Sequence, residues 1–302
     1  MTSEQMIQEI ARLKKELNAV LLVHNYQRVE IQEIADYLGD SLELSRIAAK
    51  TDASVIVFAG VHFMAETAKI LSPDKTVLLP RLNAGCPMAE MADVEGLKKL
   101  KAEHSQAVVI TYVNSTAEVK AETDICCTSA NAVKVVQNVD AEEIIFAPDK
   151  NLASYAQRFT DKKIIPWNGY CYVHDQFTKE EVHAAREAHP GAMVMVHPEC
   201  PKDVVDVADK VASTSGMLTY ARETPAKEII VGTEEGMIHR LKKENPDKLF
   251  FSLGSVKMCR GMKATRLEDV HLALLKQQHE INLSETVMNS ARRALERMLD
   301  YA

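Results

Sequence analysis

The sequence predicts an α/β fold of three homologous units with parallel strands, arranged around a pseudo-threefold axis that encloses a central active-site cavity. Three observations carry this. Short, mostly apolar runs at 19–24 (AVLLVH), 107–112 (AVVITY) and 192–197 (AMVMVH) each end in a polar residue, the pattern of a buried parallel strand. One ungapped shift of 173 positions carries His24 to His197, Asp36 to Asp209, Ser41 to Thr214, Met64 to Met237 and Cys86 to Cys259. A second shift, of 88, carries His24 to Tyr112, Asp36 to Asp124 and Ser41 to Ser129, then slips by three so that Cys86 meets Cys171. A chance alignment does not hold one register across a strand end, a hydroxyl and a cysteine, so the repeat is genuine.

The elements follow in order. Met6, Ile7, Ile10, Leu13 and Leu17 keep helical spacing, which predicts an amphipathic helix over 1–17 docked on the body. Each unit then reads strand, polar tip, short helix, Ser or Thr, longer helix, second strand, helix, third strand, cysteine. Second strands are expected at 54–59, 143–147 and 228–232, and third strands at 76–79, 163–166 and 249–253. Strands alternating with helices imply parallel units, placed at 18–105, 106–190 and 191–282. A last helix, 284–302, opens at Ser284 as its N-cap and buries Val287, Ala291, Leu295 and Met298.

The 302 residues are 46% hydrophobic and 26% charged, ordinary for a globular protein. No apolar run is long enough to span a bilayer, and the first residues lack the order of a signal peptide, so a cytoplasmic location is expected. A net charge of −7 argues against nucleic acid as a partner, while leaving room for a small anionic substrate in a locally positive pocket.

Ligands of parallel α/β sheets sit beyond the carboxyl ends of the strands, where helix N-termini point. Ser41, Ser129 and Thr214 each precede a predicted helix, where each is expected to cap it and to offer donors to an anion. A linear array would keep the units' cysteines apart. One cysteine per unit, isolated in sequence, therefore favours closure around an axis. Structural zinc takes four ligands, usually with C-x-x-C pairs, and such pairs are absent. Three thiolates suit a [4Fe–4S] cluster with one iron left free to act as a Lewis acid on a substrate oxygen. Cys126, Cys127 and Cys200 have no repeat equivalents and read as core residues.

At these positions the sequence resembles the quinolinate synthase family. The resemblance rests on His24–Asn25–Tyr26–Gln27, Gly39–Asp40–Ser41–Leu42, Phe63–Met64–Ala65–Glu66, Tyr112–Val113–Asn114–Ser115–Thr116, Thr128–Ser129–Ala130–Asn131–Ala132, His197–Pro198–Glu199–Cys200 and Ser213–Thr214, and spans nearly the whole chain. It implies three α/β units about a pseudo-threefold axis. It also implies a cluster on Cys86, Cys171 and Cys259, and condensation of iminoaspartate, from a separate iminoaspartate-producing enzyme, with dihydroxyacetone phosphate to quinolinate, a precursor of NAD. Two departures stand out: a single cysteine in Met258–Cys259–Arg260–Gly261–Met262, and the adjacent pair Cys126–Cys127.

The resemblance assigns His24, Ser41, Tyr112, Val113, Asn114, Ser129, His197, Pro198, Glu199 and Thr214 to substrate binding. Tyr26, Tyr112, His197 and Glu199 are the catalytic candidates, with Glu199 as a base and Tyr26 as a proton donor or acceptor. Because both substrates are anions, hydroxyls and neutral or cationic donors are expected around them rather than a lining of carboxylates. His62, His104, His174, His183, His189, His239, His271 and His279 read as surface or core residues, His174 least firmly because it lies beside Cys171. Other readings of the same residues are an iron–sulfur hydro-lyase for another hydroxy acid and an iron–sulfur sensor without turnover.

Overall fold

A computed structural model describes residues 1–301. The three predicted units are there, each with a four-stranded, all-parallel sheet. The first holds β1 (Ala19–His24), β2 (Tyr37–Gly39), β3 (Val55–Ala59) and β4 (Thr76–Leu78) in the order β2–β1–β3–β4. The second repeats this with β5 (Val108–Tyr112), β6 (Ile125–Cys127), β7 (Glu143–Ala147) and β8 (Lys163–Pro166) in the order β6–β5–β7–β8. The third has β9 (Met193–Val196), β10 (Lys210–Val211), β11 (Glu228–Gly232) and β12 (Leu249–Ser252) in the order β10–β9–β11–β12.

The edge strands β2, β6 and β10 are not in the sequence-based element order. With two or three residues each, they carry too few side chains for an alternating pattern to show. They are held by the repeated aspartate instead. Asp36, Asp124 and Asp209 each accept the backbone N–H of Leu21, Val109 or Val194 at 2.8 Å. Their own N–H groups return a bond to the same residues' carbonyls.

Alternation along the strands separates two kinds of core. Leu22, Ile56, Ile110, Phe146, Met195 and Val231 face a shared central core that draws on all three sheets. Their neighbours face outward, each sheet under its own helices. Helix Val94–Glu103 lays Leu97 on Val109 and Ile145 of the second sheet, and helix Lys179–Ala188 lays Val182 on Val194 and Ile230 of the third. Helix Leu267–Lys276 puts Val270 and Leu274 on Leu21 and Val57 of the first sheet, beside Met6 and Ile10 of helix Ser3–Glu16. The first long helix after each cysteine thus covers the sheet of the following unit, and the third returns to the first, which closes the ring.

Helix Glu285–Asp300 is capped by Ser284 and buries Ala291, Ala294, Leu295 and Met298, with Val287 partly buried; the predicted end at 302 lies outside the described residues. Cys126, Cys127 and Cys200 are core residues, 0%, 0% and 1% exposed. Among the described residues no helix is long and apolar enough to cross a membrane.

Candidate active site

The carboxyl ends of the three sheets meet around one cavity. His24, Tyr26, Ser41, Tyr112, Asn114, Ser129, His197, Glu199 and Thr214 line it, and so do Cys86, Cys171 and Cys259. Two residues from the expected set do not. Val113 is in the core with its N–H bonded to the Cys127 carbonyl at 2.9 Å, and Pro198 faces a separate cleft beside Ser213 and Tyr220.

The two strand-tip histidines share one geometry. His24 Nδ1 accepts the backbone N–H of Tyr26 at 3.1 Å, and His197 Nδ1 accepts that of Glu199 at 3.3 Å. Each ring must therefore carry its proton on Nε2 when neutral, where it can donate. Burial pushes both pKa values down to about 3, so both rings are neutral near pH 7.

Ser41 and Thr214 do not cap their helices, contrary to expectation. Asp40 caps helix Ser41–Lys50, accepting the N–H groups of Leu42 and Glu43 at 2.9 and 3.0 Å, and Ser213 caps helix Thr214–Glu223, accepting that of Gly216 at 3.2 Å. Ser129 also stands clear of the cap, which falls on Asn131. With the caps of the first and third of these helices supplied by a neighbour, and no side-chain cap bond at the second, these hydroxyls remain available to the cavity. Thr214 Oγ1 accepts from Asn25 Nδ2 at 2.9 Å, which leaves its own hydrogen to donate.

His174 belongs to this site rather than to the class of surface and core histidines. It is 2% exposed, stacks on His197 at 4.4 Å and bonds through Nδ1 to Glu199 Oε2 at 2.8 Å and through Nε2 to Thr233 Oγ1 at 2.8 Å. Thr233 Oγ1 also lies 2.6 Å from the Tyr26 hydroxyl. A carboxylate at Glu199 fixes the polarity: Nδ1–H donates to it, Nε2 accepts from Thr233, and Tyr26 donates to Thr233. One continuous chain therefore joins Tyr26 to Glu199. The Tyr112 hydroxyl donates to the other oxygen, Oε1. Burial alone would raise the Glu199 pKa, but the hydrogen bonds donated by His174 and Tyr112 help hold it below the ordinary carboxylate range. Burial and the Glu199 charge raise both tyrosines well above theirs.

Carboxylates do line the cavity, against expectation: Asp40, Glu199 and Glu234. Each is already engaged by protein donors. Asp40 is a cap, Glu199 has Tyr112 and His174, and Glu234 accepts the N–H groups of Gly236 and Cys259 at 2.7 and 3.1 Å. Of the residues missed in the sequence, His174 carried a signal in its place three after Cys171. Thr233 and Glu234 carried a weaker one, directly after a second strand.

The cysteines suit a shared metal group. Cys86 and Cys259 sit at the N-caps of short helical turns, Pro87–Glu90 and Arg260–Ala264. Burial raises all three thiols, Cys86 to about 12, while N–H groups of the following residues act the other way. Such thiols give up their protons to a metal rather than to water. A second donor set, Cys171, His174 and Glu199, has its ligand atoms within 4.8 Å of one another. In that set His174 and Glu199 are already bonded to each other.

Known proteins resemble this chain over nearly its whole length. The family described as "Quinolinate synthetase A protein" matches residues 8–300. The chain is 55% identical over 292 residues to a protein of Methanoregula boonei named "Quinolinate synthase", covering 97% of each chain. It is 56% identical over 299 residues to the Geobacter sp. protein of that name, covering 99% of this chain and 98% of the relative. The Thermodesulfovibrio yellowstonii protein so named is 54% identical over 294 residues, 97% of each. The chain belongs to the quinolinate synthetase A family.

Proposed function

We propose that this chain condenses iminoaspartate with dihydroxyacetone phosphate to give quinolinate, phosphate and water for NAD biosynthesis, using a [4Fe–4S] cluster on Cys86, Cys171 and Cys259. We place it in the cytoplasm beside an enzyme that supplies iminoaspartate. The observation that carries this reading is the convergence of one cysteine from each unit with the Tyr26–Thr233–His174–Glu199 chain on a single cavity. When bound, such a cluster supplies an iron with an open position, a Lewis acid for a substrate oxygen.

The chain's own residues account for the rest. His24 and His197 offer neutral Nε2–H donors, and Thr214 a hydroxyl, to the carboxylate and phosphate oxygens of the substrates. Helices Ser41–Lys50 and Thr214–Glu223 begin at the cavity, so their dipoles favour anions there. Asn114 Oδ1 is buried and unpaired, an acceptor held ready for an N–H or O–H of the substrate. As Tyr26 takes a proton from the substrate, its own passes to Thr233, that of Thr233 to His174 Nε2, and that of His174 Nδ1 to Glu199, so no tyrosinate forms; the reverse sequence lets Tyr26 donate a proton during ring closure.

Anaerobic assay of quinolinate formation from the two substrates tests the reaction and separates it from a hydro-lyase or a sensor. Iron analysis tests the cluster. We expect about four irons per chain, lost on replacing Cys86, Cys171 or Cys259 by Ala and kept in Cys126→Ala. Full iron content in C86A and C259A would move the metal to Cys171, His174 and Glu199.

A further inference from the structure

Just past its second strand, each unit grips its cysteine loop by the same backbone bridge. The N–H of His62 donates to the Ala84 carbonyl at 2.8 Å, that of Lys150 to Gly169 at 2.9 Å, and that of Glu235 to Lys257 at 3.1 Å. The fold imposes this bridge, so it recurs three times. The residue before each donor is Val61, Asp149 or Glu234. In the second and third units that residue adds a contact of its own. Asp149 Oδ2 accepts the backbone N–H of Cys171 at 3.2 Å, and Glu234 Oε1 accepts that of Cys259 at 3.1 Å. Val61 offers no acceptor to Cys86.

Both carboxylates are 0% exposed, and a buried carboxylate is costly unless its oxygens are used. Here both oxygens are. Asp149 Oδ1 caps helix Lys150–Gln157 through the Leu152 N–H at 2.7 Å, which ties the Cys171 loop to a helix end. Glu234 Oε2 accepts from Gly236 at 2.7 Å and from Lys263 Nζ at 3.3 Å, and Lys263 also donates to the Tyr26 carbonyl at 2.7 Å. The third-unit clasp therefore reaches from Cys259 to the loop that presents Tyr26.

We propose that Asp149 and Glu234 are positioning residues for the metal-bearing cysteines, fixing Cys171 and Cys259 through their backbone amides while Cys86 relies on the backbone bridge alone. This rests on the reading that the three cysteines hold an iron–sulfur cluster.

The test measures iron per chain after anaerobic reconstitution, the rate of iron release to a ferrous chelator, and the paramagnetic resonance signal of the reduced protein. D149S keeps the helix cap but is too short to reach Cys171. E234V, combined with K263M so that no buried lysine is stranded, copies the first unit. Both should release iron roughly 10–100-fold faster than wild type, the usual cost of losing a residue that orients a metal ligand. Both should also show an altered resonance signal. D149N and E234Q keep one oxygen for the cysteine N–H but turn an NH2 toward the donors on the other side, Leu152 or Gly236 and Lys263, so they should release iron faster than wild type but more slowly than D149S and E234V/K263M. Normalised to bound iron, the E234V/K263M variant should also lower kcat, through Tyr26, whereas D149S should not. Wild-type release rates in D149S and E234V/K263M overturn the proposal. If the wild-type chain itself takes up no iron, the cluster reading fails instead.

Discussion

Both oxygens of Glu199 are occupied by donors from another unit, Tyr112 on one side and His174 on the other. That arrangement keeps a carboxylate ionised in a site where burial would otherwise protonate it. An amide has one oxygen and one NH2, so it cannot accept from both. Glu199→Gln should lower turnover by about 10²–10⁴-fold, the range for a lost general base, with iron content near wild type and the unfolding temperature lowered by roughly a few degrees for the one buried donor left unpaired. Wild-type turnover would reduce Glu199 to a structural role. His24 and His197 make a separate prediction about pH. Their folded pKa values lie near 3, below the unfolded value of about 6.5, so the unfolded chain binds more protons in that window. Stability of the iron-free protein should be fullest above about pH 6.5 and fall as pH drops toward 3, by up to about 1.4 kcal/mol per pH unit for each histidine. His24→Asn should flatten that slope in denaturant titrations, and an unchanged slope counts against a buried neutral ring.

The helix starts divide labour between adjacent residues. Asp40 satisfies the first turn of helix Ser41–Lys50, and Ser41 faces the cavity. Replacing Asp40 by Ala should cost about 1 kcal/mol of stability, the usual value of a lost cap. Ser41→Ala should leave stability unchanged and raise KM. If S41A destabilises as much as D40A, capping and binding are not separated here. The same division holds at Ser213 and Thr214, which explains how two helix N-termini can face a substrate without losing their caps.

Ring closure is the property of the whole chain on which the site depends, because three isolated units would scatter the cysteines. Its physical basis is a relay of helices, each covering the next sheet, with helix Leu267–Lys276 returning to the first. Leu274 is 1% exposed in that contact. Leu274→Ala should cost about 2–5 kcal/mol, as a core cavity does. Amide exchange should then speed up first in β1 and β3, although Leu274 belongs to the third unit of the chain. Faster exchange confined to the third sheet would contradict this closure.

The sequence alone determined the repeat, the central strands, the three cysteines and the strand-tip residues His24, Tyr112 and His197. Those features are written linearly: a short apolar run ending in a polar residue marks a buried strand, and a constant shift marks equivalent positions. The tertiary structure decided the rest. β2, β6 and β10 are too short to announce themselves, and their pairing comes from Asp36, Asp124 and Asp209. His174 looked like an ordinary histidine because its partners lie elsewhere, at Glu199, 25 positions away, and Thr233, 59 away. Glu234 likewise shows its use only beside Cys259 and Lys263. A residue's local pattern records which face it occupies, whereas its chemistry is set by the donors and acceptors that closure of the ring brings against it.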